Sequence, residues 1–281
     1  KSIEKYLKSI ELNKNEIKSY VGLLWVLSKT KSFDYKESKI LSAHKDIKNI
    51  KIDYSTNKLI ENNQIIELLD EINIIIKKKF INFDINITQT YREEKLPPNC
   101  NRHKSIFIKE NIIPKHCFGC YKIQIDVTTV IELIKLHIIF DNIKLKSENY
   151  RKCMIETRTS LSGKYKGFIF CESIEEAELI LKEIKIILLK NLNKNFHLKI
   201  KRGCSEYYDK FPSYNDLSED ALRYNNKWEI YEKEFDKKNP NLIFKKNPNP
   251  TLKGISLFDA VVFKNWISYG KKNGDESCKF F

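Results

Sequence analysis

Apolar side chains recur at helical spacing through most of the first 95 residues. The first such series consists of Ile3, Tyr6, Leu7 and Ile10. Similar spacing predicts a helix over 16–30 and, after a lysine-rich polar stretch, a long helix over 55–79 that ends in three lysines. Alternating apolar residues over 80–87 favour a strand. We therefore predict a mainly helical N-terminal region over 1–95.

The pattern changes after a connection that contains Pro97, Pro98 and Pro114, and we place a domain boundary there. The next 85 residues alternate between strand and helix periodicity. Strands are predicted at 121–127, 151–158, 165–171 and 196–202, with helices at 130–138 and 174–192. With right-handed crossovers, this order gives a ferredoxin-like βαββαβ antiparallel sheet, with strands in the order 4-1-3-2, as a module over 96–205.

The last region, 206–281, is predicted as a mainly helical tail. Helices are expected over 221–235 and 257–269, and their aromatic residues are expected to pack the tail onto the sheet module. The fold class is therefore α+β, with three regions over 1–95, 96–205 and 206–281.

Charge adds a possible partner. The 281 residues include 51 Lys+Arg and 37 Asp+Glu, a net charge of +14. This excess favours RNA or another polyanion as partner, although Lys, Asn and Ile are also the residues that A+T-rich codons supply. No apolar run is long enough to cross a bilayer, so we expect no membrane partner. The chain begins without Met, which leaves an upstream leader open, and the sequence predicts no oligomeric state.

Seven cysteines, an odd number in a chain of this length, do not indicate a secreted disulfide framework. We expect a reducing compartment such as the cytoplasm. In the predicted sheet, the starts of the first two strands lie at the same edge as the ends of the last two. Five cysteines therefore converge on one end of the module: Cys117, Cys120, Cys153, Cys171 and Cys204.

This convergence predicts zinc or an iron–sulfur cluster. The first ligand set consists of Cys117 and Cys120, which form a C-x-x-C pair, with Cys204 and either Cys171 or Cys153. A second possibility is a zinc-ribbon-like pattern in which Cys100-x-x-His103 joins the C-x-x-C pair. Strand parity also allows Cys153 and Cys171 to be small apolar residues buried under the helices.

The same edge offers candidate catalytic groups. Cys204 follows Lys201-Arg202-Gly203, and these cations would lower the pKa of its thiol and favour a thiolate. His116 and Glu206 lie next to cysteine-bearing positions and are candidates for moving protons. Cys204, His116 and Glu206 are therefore the predicted catalytic residues if the protein is an enzyme.

The other face of the predicted sheet combines cations with aromatic rings. Its candidate nucleic-acid-binding residues are Lys122, Arg158, Phe168, Phe170, Lys199 and Lys201. Lysine and arginine attract phosphates, and bases stack on aromatic rings. An alternative is that Phe168 and Phe170 are covered by a flanking helical region and belong to a second core.

Residues 166–170 read Lys-Gly-Phe-Ile-Phe, which resembles the start of the third-strand signature of the RNA-recognition motif. Phe168 and Phe170 take its two stacking positions. Ile169 departs from the small residue of that signature, and the first strand has Lys122 and Gln124 where the family offers an aromatic ring. The resemblance covers 120–204 and implies binding of single-stranded RNA.

Two main functions follow from the sequence. The first is binding of single-stranded RNA by a protein with a cysteine-rich metal site. The second is a metal- or thiol-dependent enzyme that uses Cys117, Cys120 and Cys204. A third is an accessory subunit that binds a protein partner through its basic surface.

Overall fold

Five strands form one antiparallel sheet. A computed structural model describes residues 2–31, 38–79, 85–93, 99–159, 161–193, 195–218, 220–243 and 249–281. Its strands are β1 (Gln89–Arg92), β2 (Tyr121–Val127), β3 (Arg151–Ile155), β4 (Tyr165–Cys171) and β5 (Phe196–Arg202). They are arranged in the order β1-β3-β4-β2-β5, with every neighbouring pair antiparallel.

Ten α-helices accompany the sheet in the described part of the chain. The first five are α1 (Ser2–Leu12), α2 (Ile17–Leu27), α3 (Lys39–Lys48), α4 (Asn62–Lys78) and α5 (Cys100–Glu110). The others are α6 (Lys115–Gly119), α7 (Val130–Asn142), α8 (Ile174–Asn191), α9 (Trp228–Lys238) and α10 (Leu257–Lys272). The α+β class predicted from the sequence is therefore confirmed.

The sheet differs from the predicted one by an added strand. Strands β5, β2, β4 and β3 lie next to one another in the predicted 4-1-3-2 order, and β1 extends the sheet beyond β3. The sheet thus has five strands where the sequence predicts a four-stranded ferredoxin-like module. Residues 80–84 of the strand predicted at 80–87 lie outside the described residues, and 85–87 is not a strand.

Several local predictions were wrong. Residues 39–48, taken as part of a polar stretch, form α3, which begins after an N-cap hydrogen bond to Ser38. The connection over 90–115, predicted to be irregular, contains most of β1 and all of α5. The strand predicted at 151–158 ends at Ile155, and the helix predicted at 221–235 is displaced to Trp228–Lys238.

Helix α7 lies between the sheet and a second group of helices. It packs on β3 and β4 on one side, and it also contacts α4 and α10. All residues from Val130 to Phe140 are buried. This burial agrees with the sequence of the helix, which has apolar residues on most of its sides. Among the helices that the structure describes, none combines the length and apolar character needed to cross a bilayer.

The main hydrophobic core contains residues from all three regions of the sequence. Leu69 of α4, Ile123 of β2 and Trp266 of α10 belong to the same cluster. A second, smaller cluster lies at one end of the sheet and joins α5 and α6 to the segment after β5. Its buried members are Ile113, Cys117, Tyr207 and Tyr214. The division of the chain into three domains stays a prediction.

A buried ionic network connects β1, α7 and α10. Arg92 Nε donates to Asp141 Oδ1 at 2.5 Å, and both Arg92 Nη atoms reach the Asp259 carboxylate at 3.3 Å. His137 Nε2 lies 2.7 Å from Arg92 Nη2 and accepts its proton, since a guanidinium can only donate. Thr90 Oγ1 contacts His137 Nδ1 at 2.8 Å. Each of these side chains is buried, so the network fixes the edge strand to two helices.

The contact between β4 and α7 leaves no room for a side chain at Gly167. A β-carbon there would lie 2.4 Å from Leu136 Cδ2 and 3.2 Å from Phe140 Cζ, both fully buried side chains. We expect Gly167→Ala to lower the free energy of unfolding by about 1–3 kcal/mol, because it overpacks the core. Denaturant unfolding measures this effect.

A double variant tests the cause of the Gly167 effect. If Leu136 is the obstacle, Gly167→Ala combined with Leu136→Ala is less destabilising than the sum of the two single changes, by about 1 kcal/mol or more. Additive effects would contradict the proposed clash.

Candidate functional site

One face of the sheet carries a group of lysines. Ile123 and Ile125 of β2 are buried under the helices, so residues of opposite parity lie on the other face. The register places five lysines there, which we call the lysine face: Lys122, Lys152, Lys166, Lys199 and Lys201. Lys152 and Lys166 are not among the residues predicted from the sequence, although their parity relative to Cys153 and Ile169 identifies them.

Phe168 lies at the centre of the lysine face. Its side chain is 7% exposed, and the ammonium groups of Lys122 and Lys152 lie 5.1 and 5.3 Å from its ring centroid. Such distances allow cation–π attraction. Phe168 therefore supports two lysines rather than presenting an open ring. Phe170 is half-buried and packs against Tyr150, with 5.3 Å between ring centroids.

Carboxylates neutralise only part of this positive charge. Lys199 pairs with Asp126 at 3.7 Å, and Lys166 pairs with Glu156 at 3.4 Å. Arg158 also binds Glu156, at 2.8 Å, so two carboxylates pair with three of the six cations on the face and its margin, and exposed Glu206 acts on Lys122 and Lys152 without an ion pair. Hydrogen bonds from Arg158 hold the pKa of Glu156 down to about 2.

The remaining lysines of the face affect one another. Lys201 Nζ donates to Gln124 Oε1 at 3.3 Å. Burial, followed by repulsion from Lys122 and Lys199, lowers the pKa of Lys201 to about 8. Burial also lowers the pKa of Lys122 and of Lys152. Repulsion of this kind is relieved when an anion binds between the cations.

Four thiols lie together at one end of the sheet. Cys100 begins α5, Cys117 lies in α6, Cys120 precedes β2 and Cys204 follows β5. Cys117 and Cys204 pack in the same hydrophobic cluster, and the thiols of Cys100 and Cys117 act on the pKa of Cys204. Cys120 interacts electrostatically with the other three. We call Cys100, Cys117, Cys120 and Cys204 the thiol cluster.

Cys171 and Cys153, which the sequence predicts at the same end of the sheet, do not belong to the thiol cluster. Both side chains are buried in the main core on the helix-covered face of the sheet. Cys153 pairs with Gly167, in the middle of β4 rather than at its end. Cys117 and Cys204, in contrast, belong to the small cluster at the end of the sheet. The structure thus separates Cys171 and Cys153 from Cys117 and Cys204, and it places Cys100 beside them instead.

Backbone contacts hold the thiol cluster in place. Gly203 N–H donates to Cys120 O at 2.8 Å, and a β-carbon at Gly203 would lie 2.3 Å from Cys120 Sγ. Only glycine allows this close approach of the two segments. Tyr214 Oη donates to Cys117 O at 2.8 Å, and Tyr207 Oη lies 3.2 Å from Cys117 Sγ.

The charge state within the cluster is uneven. Hydrogen bonds from Cys100 and Cys117, with the nearby Lys122 ammonium, lower the pKa of Cys204 to about 3. The pKa of Cys100 and Cys117 is raised by the same hydrogen bonds, and burial raises that of Cys120 to about 12. The causes differ from the predicted ones, since the sequence predicts a lowered pKa of Cys204 from the adjacent cations Lys201 and Arg202.

The other predicted catalytic residues lie close to the cluster. His116 is exposed and stacks on buried His103, with 4.9 Å between the ring centroids. Burial, with the neighbouring His116, lowers the pKa of His103 to about 4. Glu206 is exposed, and its charge acts on Cys100 and Lys122.

Two further observations bear on the function: the arrangement of possible metal ligands and the comparison with known proteins. Among the His, Cys, Asp and Glu side chains in the described ranges, no group of three or more is arranged to hold a metal ion as it stands. No protein-family model, curated protein or solved structure matches this chain.

Proposed function

We propose that the protein binds single-stranded RNA on the lysine face. The observation that supports this proposal most directly is the set of six cations, paired with only two carboxylates, on four adjacent strands and their margin. The face has too few carboxylates to neutralise its cations, and the phosphates of a polyanion would supply the missing negative charge. The sequence predicts the contact residues Lys122, Arg158, Phe168, Phe170, Lys199 and Lys201, and we add Lys152. Phe168 would act beneath Lys122 and Lys152, and buried Lys166 would contribute only its charge.

Phosphates and bases would use different parts of the face. Phosphate groups would bind Lys199 and Lys201, whose side chains are half-buried and lie on the edge strand β5. Bases would stack on the half-buried ring of Phe170, since Lys122 and Lys152 occupy the space over Phe168. An unpaired strand exposes its bases for such stacking, which favours single-stranded over duplex RNA.

We also propose a fold family for the sheet and a cellular compartment for the protein. We regard β2 to β5 with α7 and α8 as a ferredoxin-like unit that β1 extends, similar to the RNA-recognition motif over 120–204. A reducing compartment such as the cytoplasm suits a chain whose seven cysteines are free thiols.

Salt dependence of binding tests the function. We expect a labelled single-stranded RNA to lose affinity from about 50 to 200 mM salt, with a log–log slope of about −1.4 if only Lys199 and Lys201 contact phosphates and about −3.5 if the five cations other than buried Lys166 do. Lys199→Ala combined with Lys201→Ala should weaken binding and reduce that slope by about 1.4, since two contacts are lost. Fluorescence anisotropy measures both quantities.

A matched variant controls for net charge. Lys182 and Lys185 are exposed on α8, which packs on the opposite face of the sheet. Replacing both by alanine removes the same charge, and we expect the slope to stay within about 0.3 of the original. Binding that does not respond to salt, or equal effects of the two double variants, would reject the lysine face as an RNA site.

The contacts among the thiols favour a second candidate, a metal- or thiol-dependent enzyme at this end of the sheet. Cys204 would be its nucleophile or ligand, and exposed His116 or Glu206 would move protons. Cys204→Ser separates a catalytic role from a structural one. Loss of a nucleophile should leave thermal stability nearly unchanged, whereas loss of a structural ligand should lower it.

A further inference from the structure

We propose that a cavity between α4 and α7 binds a small aromatic amine, with the ring inside and the protonated nitrogen at the mouth. The cavity has a volume of about 180 Å³ and is lined by α4, by α7 and by the segment 50–60, which precedes α4. Helix α7 packs on the face of the sheet opposite the lysine face. The proposal therefore does not depend on RNA binding.

Aliphatic side chains form the walls of the cavity. They are Ile50, Ile52, Ile60, Ile65, Leu68 and Ile138. The last four are at most 6% exposed, so the inner part of the cavity is shielded from solvent. An apolar cavity of about 150 Å³ stays dry and is large enough to bind benzene. The cavity of this protein therefore has room for a single aromatic ring.

Hydrogen bonds hold the wall that the segment before α4 provides. Gln64 Nε2, in the first turn of α4, donates to Asp53 O at 3.4 Å. Asn191 is fully buried at the end of α8. Its carbonyl accepts the Ile60 N–H at 3.1 Å, and its Nδ2 donates to Lys58 O at 3.1 Å. Because these bonds fix the segment, ligand binding does not have to order it, which lowers the entropic cost of binding.

The mouth of the cavity is negatively charged, although the whole chain has a net charge of +14. The charged residues that line it are Lys51, Asp53, Glu67 and Glu71, which supply three carboxylates and one ammonium group. Glu67 and Glu71 are exposed and lie one turn apart on α4, a spacing at which like charges repel. A cation between them relieves this repulsion. The mouth therefore favours a protonated amine over a neutral or anionic ligand.

Methyl NMR of the protein with labelled isoleucine tests the site, because five of the six wall residues are isoleucine. The probes are benzylamine, benzyl alcohol and benzoate, which share one ring and differ in charge. Benzylamine should shift the methyl signals of Ile60, Ile65 and Ile138, with a Kd of about 0.1–1 mM for a ligand of this size. Benzyl alcohol should bind about threefold more weakly, and benzoate about tenfold more weakly.

Two results with these probes would overturn the proposal. The first is that benzylamine shifts none of the three isoleucine methyl signals. The second is that benzyl alcohol or benzoate binds as tightly as benzylamine, which would reject the amine as the ligand class.

A variant that fills the cavity tests where the ring binds. Leu68→Phe places a second ring in the space between α4 and α7, and the folded protein should lose the methyl shifts with all three probes. Circular dichroism measures whether the variant is folded. Benzylamine shifts that persist in folded Leu68→Phe would contradict binding in the cavity.

A surface variant tests the mouth and does not depend on the folding of Leu68→Phe. Glu67→Gln combined with Glu71→Gln leaves the walls unchanged, and it should bind benzylamine no more tightly than benzyl alcohol. Glu178→Gln combined with Glu234→Gln is the matched control, since it removes the same charge from exposed positions on α8 and α9. The control should keep the preference for benzylamine. Equal preferences in the two double variants would contradict the role of the mouth.

Discussion

Replacing Arg92 by methionine is expected to lower the free energy of unfolding by about 3–5 kcal/mol. The substitution keeps much of the side-chain volume but leaves the carboxylates of Asp141 and Asp259 buried without their common cation. Burial alone would raise the pKa of Asp259, but Arg92 and His137 hold it down to about 2. Loss of Arg92 removes the larger of these two attractions, and the charged carboxylate is then destabilising.

An exposed arginine provides the control. Arg158 also binds a carboxylate, that of Glu156 at 2.8 Å, but its side chain is 59% exposed. Arg158→Met should therefore cost less than about 1 kcal/mol. Urea unfolding of both variants at pH 7 measures the difference. Equal effects would mean that burial of the network contributes nothing to its strength.

The same network explains why β1 could not be predicted from the sequence. Gln89–Arg92 is four residues long and has no alternation of apolar side chains. It is held by pairing with β3 and by ion pairs of Arg92 with residues 49 and 167 positions away. A pattern within a short window contains no information about such partners.

Elements whose signals are local could be predicted. In β2, the alternation from Tyr121 to Val127 corresponds to one helix-covered and one polar face. Thr129 and Ser173 accept the N-terminal hydrogen bonds of α7 and α8, as their positions in the sequence indicate. Helix α3 was missed because its lysines conceal a buried side formed by Leu41, Ala43, His44 and Ile47.

Strand parity predicted part of each candidate site from the sequence, and the rest depends on contacts between residues that are distant along the chain. Parity along β4 placed Phe168 and Phe170 on the lysine face. It could not predict that Lys122 and Lys152 lie over the Phe168 ring, because those contacts come from neighbouring strands. Convergence at one edge suggested Cys171 as a ligand, although the two faces of a sheet are separated by its backbone. Cys100 belongs to the cluster through its interaction with Cys204, 104 residues away, which no local pattern contains.

Acid is expected to destabilise the protein through two buried histidines. Burial, with Arg92 beside the ring, lowers the pKa of His137 to about 4, although Asp259 and Asp141 oppose this shift. Burial and Lys48 lower the pKa of His44 to about 4, against the attraction of Asp259. His44 Nδ1 accepts the Leu257 N–H at 3.4 Å, a bond that needs the neutral ring.

The sign of the effect follows from the two pKa values. An unfolded chain protonates its histidines near pH 6.5, whereas the folded protein does not bind these protons until about pH 4. Between these values the unfolded state holds more protons, so stability falls as the pH falls. Each histidine should contribute a loss of about 3 kcal/mol by pH 4, fully absent above pH 7.

Urea unfolding at several pH values measures this loss. His137→Gln should be less stable than the original protein at pH 7, since the ring contacts Thr90 and Arg92. It should nevertheless lose about 3 kcal/mol less between pH 7 and pH 4, because one titrating group is gone. His197 is exposed, and His197→Gln is the control for the substitution itself. A loss in His137→Gln as large as that of the original protein would mean that His137 is not protonated on unfolding, and the buried carboxylates would then have to account for the acid sensitivity.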